Sequence, residues 1–143
     1  MRDYSRLHPD FARHPQGYAL TGNGLNIAAG RLSYLFNLRG PSLAVDTACS
    51  SSLVAIHLAC QSIWNQESTM AIASGVNIIL SPIGNVGLSK LKALSPDGRC
   101  KTFDECANGY VRSEGAGSII LIPLTQALAE NDPIYATSRG SAI

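Results

Sequence analysis

Residues 42–64 read SLAVDTACSSSLVAIHLACQSIW, and this stretch decides the fold. Its first five residues, Ser42–Asp46, form a short run that predicts a strand. From Cys49 to Trp64, apolar residues recur at helical spacing and cover nearly every face. A helix that is apolar almost all round is a buried helix. The stretch therefore predicts a strand, a turn at Cys49 and a buried helix.

Helix and strand patterns alternate on either side of this stretch. Helices are predicted over residues 26–36, 82–94 and 124–130, and further strands over 70–80, 118–122 and 134–143. Between them we predict an extended lead-in over 1–20, turns at Thr21–Gly24 and Ser95–Gly98, and an irregular stretch up to Gly109. Alternating helices and near-continuous apolar strands indicate a layered α/β fold with covered sheet faces.

Composition limits the possible classes of function. The 143 residues are 45% hydrophobic and 15% charged, which is typical of a globular domain. The net charge is +1 and no basic cluster is present, so we expect no nucleic-acid partner. No apolar run approaches the roughly 18 residues of a membrane span, and no secretory signal is recognisable. We expect a cytoplasmic protein of one domain, or part of one, with no membrane partner.

Cys49 is the candidate nucleophile. It lies between a predicted strand and the first turn of a predicted helix, where free N–H groups and the helix dipole favour a thiolate. The Cys49 backbone N–H could also hold the oxyanion formed when a thioester is attacked. The small neighbours Ala48, Ser50 and Ser51 leave room for an acyl chain, an arrangement like the nucleophile elbow of hydrolases. On these residues alone, a structural cysteine near a helix start remains an alternative.

The other cysteines and the acidic residues give no metal site. Cys60, Cys100 and Cys106 fit no zinc pattern and are predicted to be buried hydrophobes. The spacing over Asp104–Gly109 is similar to a calcium loop, but Gly115 occupies the position of its bidentate glutamate. We therefore predict that the chain binds no metal and no resident cofactor.

The remaining polar candidates are predicted to be structural. His57 lies eight residues after Cys49 on one helix, roughly 12 Å away at about 1.5 Å per residue, beyond hydrogen-bond reach. It reads as a polar residue satisfied on a helix face, and His8 and His14 read as solvated loop residues. Asp46 and Glu114 are predicted to be structural hydrogen-bonding acids. Arg31 and Arg112 are predicted to pair with carboxylates. Gly109, Gly115 and Gly117 are predicted to be turn glycines before a strand.

Four segments, in order, resemble the β-ketoacyl synthases of polyketide and fatty-acid synthesis. Gly40–Leu53 is similar to the active-site segment of that family, and Gly30–Tyr34 is similar to the helix before it. Leu94–Asp104 and Gly109–Gly117 resemble two further signatures, and the likeness is greatest to the type I modular polyketide branch. The resemblance implies a thiolase-like α/β sandwich, with residues 1–143 forming the later part of its N-terminal half.

The resemblance also implies an activity. Cys49 is expected to take an acyl group from the phosphopantetheine arm of an acyl carrier protein. Decarboxylative Claisen condensation with a malonyl-type thioester then gives a β-ketoacyl product, as in a β-ketoacyl-[acyl-carrier-protein] synthase. The parent enzyme is expected to be a homodimer, with the region after the Cys49 helix near its two-fold axis.

Part of the family pattern falls outside this sequence. The two histidines of the family are expected downstream of Ile143, and its early strands before residue 1. We therefore expect a partial domain that carries the nucleophile, cannot complete condensation by itself, and exposes apolar, aggregation-prone sheet surface. The alternatives are a starter-loading or decarboxylating relative of the same fold, and a non-catalytic remnant or dimerisation scaffold.

Overall fold

The computed structural model describes Asp3 and residues 17–143. Its helices are α1 (Gly17–Asn23), α2 (Leu25–Leu35), α3 (Ser51–Trp64), α4 (Ile83–Lys90) and α5 (Leu124–Glu130). Its strands are β1 (Ala71–Asn77) and β2 (Gly115–Leu121), which are hydrogen-bonded neighbours in one sheet. A 3-10 turn, Ala48–Ser50, comes directly before α3. None of the helices between residues 17 and 143 is long and apolar enough to cross a membrane.

The described residues form two compact units. The first unit combines residues 17–23 with Val76–Gly115 and contains α1, α4 and the irregular segment after α4. The second combines Gly24–Gly75 with Ala116–Ile143 and contains α2, α3, α5 and most of both strands. The candidate nucleophile Cys49 therefore belongs to the second unit.

The second unit has a small apolar core. Among the described residues, the buried apolar side chains are Cys60 on α3, Ala73 on β1 and Ala127 on α5. Each is small, and together they come from two helices and the sheet. The sheet and the helix that follows Cys49 thus each bury one small apolar residue.

Large apolar side chains remain exposed on the sheet and on α3. Ile120 on β2 is 68% exposed and Leu53 on α3 is 71% exposed. The expected exposure of apolar sheet surface is confirmed. The prediction of a fully buried helix is wrong, because α3 buries only Cys60 and Ser62. A helix and a strand bury both faces only when further layers cover them, and two strands do not supply those layers.

Three helices confirm the pattern analysis, and three other predictions need correction. The helices found at α2, α4 and α5 match the predicted ones. The segments 42–46 and 134–143 are not strands, because a strand needs a hydrogen-bonded neighbour and none pairs with them in the described part of the chain. The predicted turn at Thr21–Gly24 is replaced by the end of α1, where Asn23 Nδ2 donates to Ala19 O at 2.8 Å.

The irregular segment of the first unit closes on itself at Gly109. Leu94 and Tyr110 form a parallel bridge, in which Ser95 N–H donates to Tyr110 O at 2.9 Å and Tyr110 N–H donates to Ala93 O at 3.0 Å. Gly109 has φ +137°, and a Cβ there would lie 2.5 Å from the Ser95 nitrogen. Backbone atoms on the opposing chain cannot move aside, so only glycine fits.

We predict that Gly109→Ala opens this pairing. The clash and the unfavourable φ should cost about 2 to 4 kcal/mol locally, so trypsin should cleave after Arg99 and Lys101 at least about tenfold faster. Cleavage is followed by mass spectrometry on dilute protein.

Gly87→Ala is the matched control in the same unit. A Cβ at Gly87 meets nothing within 4 Å, and alanine is favoured over glycine inside a helix such as α4 by about 0.5 to 1 kcal/mol. This variant should be cleaved at the normal rate or more slowly. Equal cleavage rates for the two variants would contradict the assignment of Gly109.

Candidate active site

Cys49 is the middle residue of the 3-10 turn that leads into α3. The turn ends at Ser50, and α3 begins at Ser51. The thiol-bearing residue is exposed. The sequence predicts a helix that begins at this point, and the structure has one. It places Cys49 just ahead of the α-helix and leaves the preceding segment 42–46 without the predicted strand pairing.

The backbone reverses at Ala48, immediately before Cys49. Ala48 has φ +56°, in the left-handed region, whereas Thr47 has φ −123° and Ser50 has φ −89°. An L-residue other than glycine pays about 1 to 2 kcal/mol for this conformation. Strain of this kind persists only where the surroundings hold it, and it often marks functional sites.

Side-chain hydrogen bonds surround this reversal. Asp46 Oδ1 accepts from Ala48 N–H at 3.1 Å. Ser51 Oγ accepts from Thr47 N–H at 2.9 Å and donates to Ala48 O at 2.6 Å. Ser50 Oγ donates to Thr47 O at 2.8 Å. The predicted structural role of Asp46 is confirmed, and the hydrogen bonds of the two serines are a feature that the sequence does not reveal.

The Cys49 backbone N–H is left without an acceptor in the described part of the chain. The first N–H groups of a helical segment have no partner within that segment. The neighbouring Ala48 N–H is occupied by Asp46, so at this turn the Cys49 N–H is the donor available to a ligand. No acidic residue lies in the first turn of α3 to oppose an anion there. The arrangement can present a thiol and an N–H donor together.

The start of α3 packs against β1. A Cβ on Gly75 would lie 2.6 Å from Ser52 Oγ, so the strand approaches the first turn of α3 closely. Further along β1, the Ser74 and Ser118 hydroxyls are 2.7 Å apart and join it to β2. The sheet therefore supports the helix end that follows Cys49.

The other cysteines differ in their surroundings. Cys60 is buried in α3, as predicted. The same prediction is wrong for Cys100 and Cys106, which are exposed because they lie in the irregular segment rather than in a packed helix or strand. Cys100 Sγ accepts a hydrogen bond from Val111 N–H at 3.2 Å. Cys49 shares its exposure with Cys100 and Cys106, and it differs from them by its position in the 3-10 turn after Ala48.

The histidine on α3 has a partner of its own. His57 is half-buried, and its Nδ1 lies 2.9 Å from Ser141 Oγ. The prediction of a satisfied polar residue on a helix face is confirmed. His8 and His14 lie outside the described residues.

Of the remaining predicted polar residues, Glu114 and Arg112 lie in the first unit, and Arg31 lies on α2 in the second. Glu114 Oε1 accepts from Ile79 N–H, as expected for a structural acid, and Arg112 donates to the amide oxygen of Asn85 at 2.6 Å. The prediction of turn glycines before a strand is wrong for Gly115 and Gly117, because Gly115 is the first residue of β2 and Gly117 lies two residues further along it.

A charged cluster fixes the turn that begins at Ser95. Lys101 Nζ lies 2.7 Å from Asp97 Oδ2 and 2.9 Å from Asn108 Oδ1. The hydrogen bond from Lys101, followed by that from Ser95 Oγ, lowers the pKa of Asp97 to about 2. The turn at Ser95–Gly98 is confirmed, with Gly98 N–H donating to Ser95 O.

Comparison with known proteins identifies the family. Residues 1–127 match the family model of the β-ketoacyl synthase N-terminal domain. One polypeptide of the phenolphthiocerol/phthiocerol polyketide synthase of Mycobacterium tuberculosis is 53% identical over 126 residues, which are 88% of this chain and 6% of that protein. A second polypeptide of the same synthase is 48% identical over 141 residues, or 99% of this chain and 9% of that protein.

Solved structures of ketosynthases also resemble this chain. The ketosynthase from module 6 of the bacillaene synthase of Bacillus subtilis 168 superimposes with a TM-score of 0.77 at 49% identity, over 83% of this chain and 22% of that one. An oxazolomycin ketosynthase domain from Streptomyces albus JA3453 gives 0.73 at 43% identity, over 80% of this chain and 22% of that one.

The chain belongs to the β-ketoacyl synthase family. Its relatives are polyketide synthases, and its fold is that of their thiolase-like ketosynthase domains, as predicted. The chain spans less than a tenth of the curated relatives and about a fifth of the solved ketosynthases.

We predict that Lys101→Met raises the pKa of Asp97 from about 2 toward the ordinary 3.8. A carboxyl with a lowered folded-state pKa stabilises the fold above pH 3.8, and that contribution disappears as the pH falls through about 2. Because Asp97 is exposed, the effect on overall stability should be small and weaker in salt. NMR titration of the side-chain carboxyl carbon measures the pKa directly.

Lys90→Met is the control, since it removes the same charge from an exposed site at the end of α4. It should leave the titration of Asp97 unchanged. A midpoint that stays near 2 in Lys101→Met would show that Lys101 is not its main cause.

Proposed function

We propose that this chain carries the acyl-accepting part of a ketosynthase active site, with Cys49 as the nucleophile. The observation that carries the proposal is an exposed thiol on a strained turn beside an N–H that has no acceptor in the described part of the chain. The turn lies within a sequence that matches the family over residues 1–127. An exposed thiol, a strained turn or a free N–H can each occur in a purely structural loop, but together they match the needs of acyl transfer.

In the first step the Cys49 thiolate attacks the carbonyl carbon of an acyl thioester. That thioester is carried by the phosphopantetheine arm of an acyl carrier protein, which is a substrate carrier and not a resident cofactor. The carbonyl electron pair moves to oxygen, and the Cys49 N–H stabilises the oxyanion. When the intermediate collapses, the pantetheine thiolate leaves and takes up a proton, and the acyl group stays on Cys49.

In the second step a malonyl-type thioester loses CO2. The electrons of the broken C–C bond form an enolate that attacks the acyl carbon, and Cys49 leaves as the thiolate. This step needs groups that stabilise the enolate. His57 is engaged by Ser141 and lies on the helix well after the turn, so we do not assign it this role. We therefore propose that residues 1–143 support acylation without condensation.

The second candidate function is a non-catalytic dimerisation scaffold. The exposed apolar side chains of α3 and β2 favour it, because such surface is normally covered by protein. Both candidates are compatible with a cytoplasmic, homodimeric parent enzyme. Reactivity at Cys49 distinguishes them, because a scaffold has no need of a selective thiol.

We predict that a hexanoyl N-acetylcysteamine thioester acylates Cys49 at least about tenfold faster than the other exposed cysteines. The acylated peptide is located by mass spectrometry after digestion. Cys49→Ala should abolish the fast labelling. Cys106→Ser removes another exposed thiol and should retain it.

Adding hexanoyl- and malonyl-carrier proteins to the same chain should give the acyl-enzyme and no β-ketoacyl product. Equal labelling of all four cysteines would refute the nucleophile and favour the scaffold. A β-ketoacyl product would refute the restriction to acylation.

A further inference from the structure

The backbone conformation of Ala48 sets the direction of the Cys49 side chain and of its backbone N–H. Ala48 has φ +56° although it is not glycine, and it is the residue directly before the thiol. A chain free to relax would return Ala48 to negative φ. Because Cys49 follows immediately, that relaxation would redirect both its side chain and its backbone N–H.

The Ser51 hydroxyl spans this reversal. Its oxygen accepts from Thr47 N–H at 2.9 Å, on the chain before Ala48. Its proton goes to the carbonyl oxygen of Ala48 at 2.6 Å, on the chain after the reversal. One hydroxyl thus links the backbone N–H of Thr47 to the carbonyl oxygen of Ala48. Its proton is committed, so it cannot serve the substrate at the same time.

The other polar side chains of the turn bond only to atoms that precede the Ala48 N–Cα bond, although Ser50 itself lies after it. Asp46 accepts from Ala48 N–H, and Ser50 hydrogen-bonds only to Thr47. The next serine, Ser52, has no hydroxyl hydrogen bond in the described part of the chain and lies against Gly75. Ser51 is therefore the one side chain of the turn, in the described part of the chain, whose hydroxyl bonds to backbone groups on both sides of the Ala48 N–Cα bond.

We propose that Ser51 is a positioning residue: its hydroxyl holds Ala48 in the left-handed conformation and so aims the Cys49 thiol and N–H at an incoming thioester. This inference rests on the proposed function of Cys49. Ser51 acts through the turn and does not contact the reacting atoms.

The main test compares Ser51→Ala with Ser52→Ala in the 143-residue chain. The acylation rate at saturating hexanoyl N-acetylcysteamine thioester should fall about ten- to a hundredfold in Ser51→Ala, with little change in the half-saturating concentration. Ser52→Ala is the same substitution one helix position later and should leave the rate within about threefold. Ser51→Thr keeps a hydroxyl and should restore most of the rate.

Two further readouts separate positioning from a general loss of structure. Alkylation by iodoacetamide needs an accessible thiol but no oxyanion donor, so Ser51→Ala should slow it far less than acylation. In an Ala48→Gly background the left-handed conformation costs little, so Ser51→Ala should then lose much less activity. A merely structural role for Ser51 would give the same loss in both backgrounds.

The outcomes are distinct. Unchanged acylation in Ser51→Ala, or equal losses in the two backgrounds, overturns the positioning role and leaves Cys49 as the nucleophile. Absence of selective acylation in the unmodified chain overturns both proposals. If Ser51→Ala loses its helical circular dichroism, Ala48→Val tests the same conformation with Ser51 intact, since a β-branched residue resists positive φ. Normal acylation in Ala48→Val would then overturn the proposal.

Discussion

The left-handed backbone of Ala48 is the constraint on which the site depends. It makes the backbone depart from helical geometry at the residue directly before Cys49. With it, the 3-10 turn separates Cys49 from α3, and the thiol is exposed. The conformation is unfavourable for alanine, so the hydrogen bonds of the turn must hold it. The strained conformation of Ala48 and the hydrogen bonds around it thus depend on each other.

The 3-10 turn that contains Cys49 lies beside packed elements of the second unit. Gly75 lets β1 approach the first turn of α3, and Cys60 and Ala73 are buried on the same two elements. The first turn of α3 therefore lies against β1, while the turn before it is held by hydrogen bonds. The charged cluster around Asp97 orders a separate segment in the first unit by similar short-range means. In neither case does a large apolar core do the ordering.

Sequence alone could predict much of this chain, but not its fine geometry. The helical pattern around Gly30–Tyr34 and the turn at Ser95–Gly98 are local signals, and both were found where expected. The segment Ser42–Asp46 failed as a strand because pairing depends on residues far away in sequence. Cys49 could be selected from its position and its family motif. The proposed role of Ser51 could not, because it depends on the sign of one dihedral angle that serine and alanine do not encode.

The contact between His57 and Ser141 joins residues 84 positions apart. Closing so long a loop is entropically costly, and distant contacts of this kind form late in folding. A ribosome releases α3 well before it has made Ser141. The turn that carries Cys49 and the helix after it are therefore made before the hydrogen-bond partner of His57 exists.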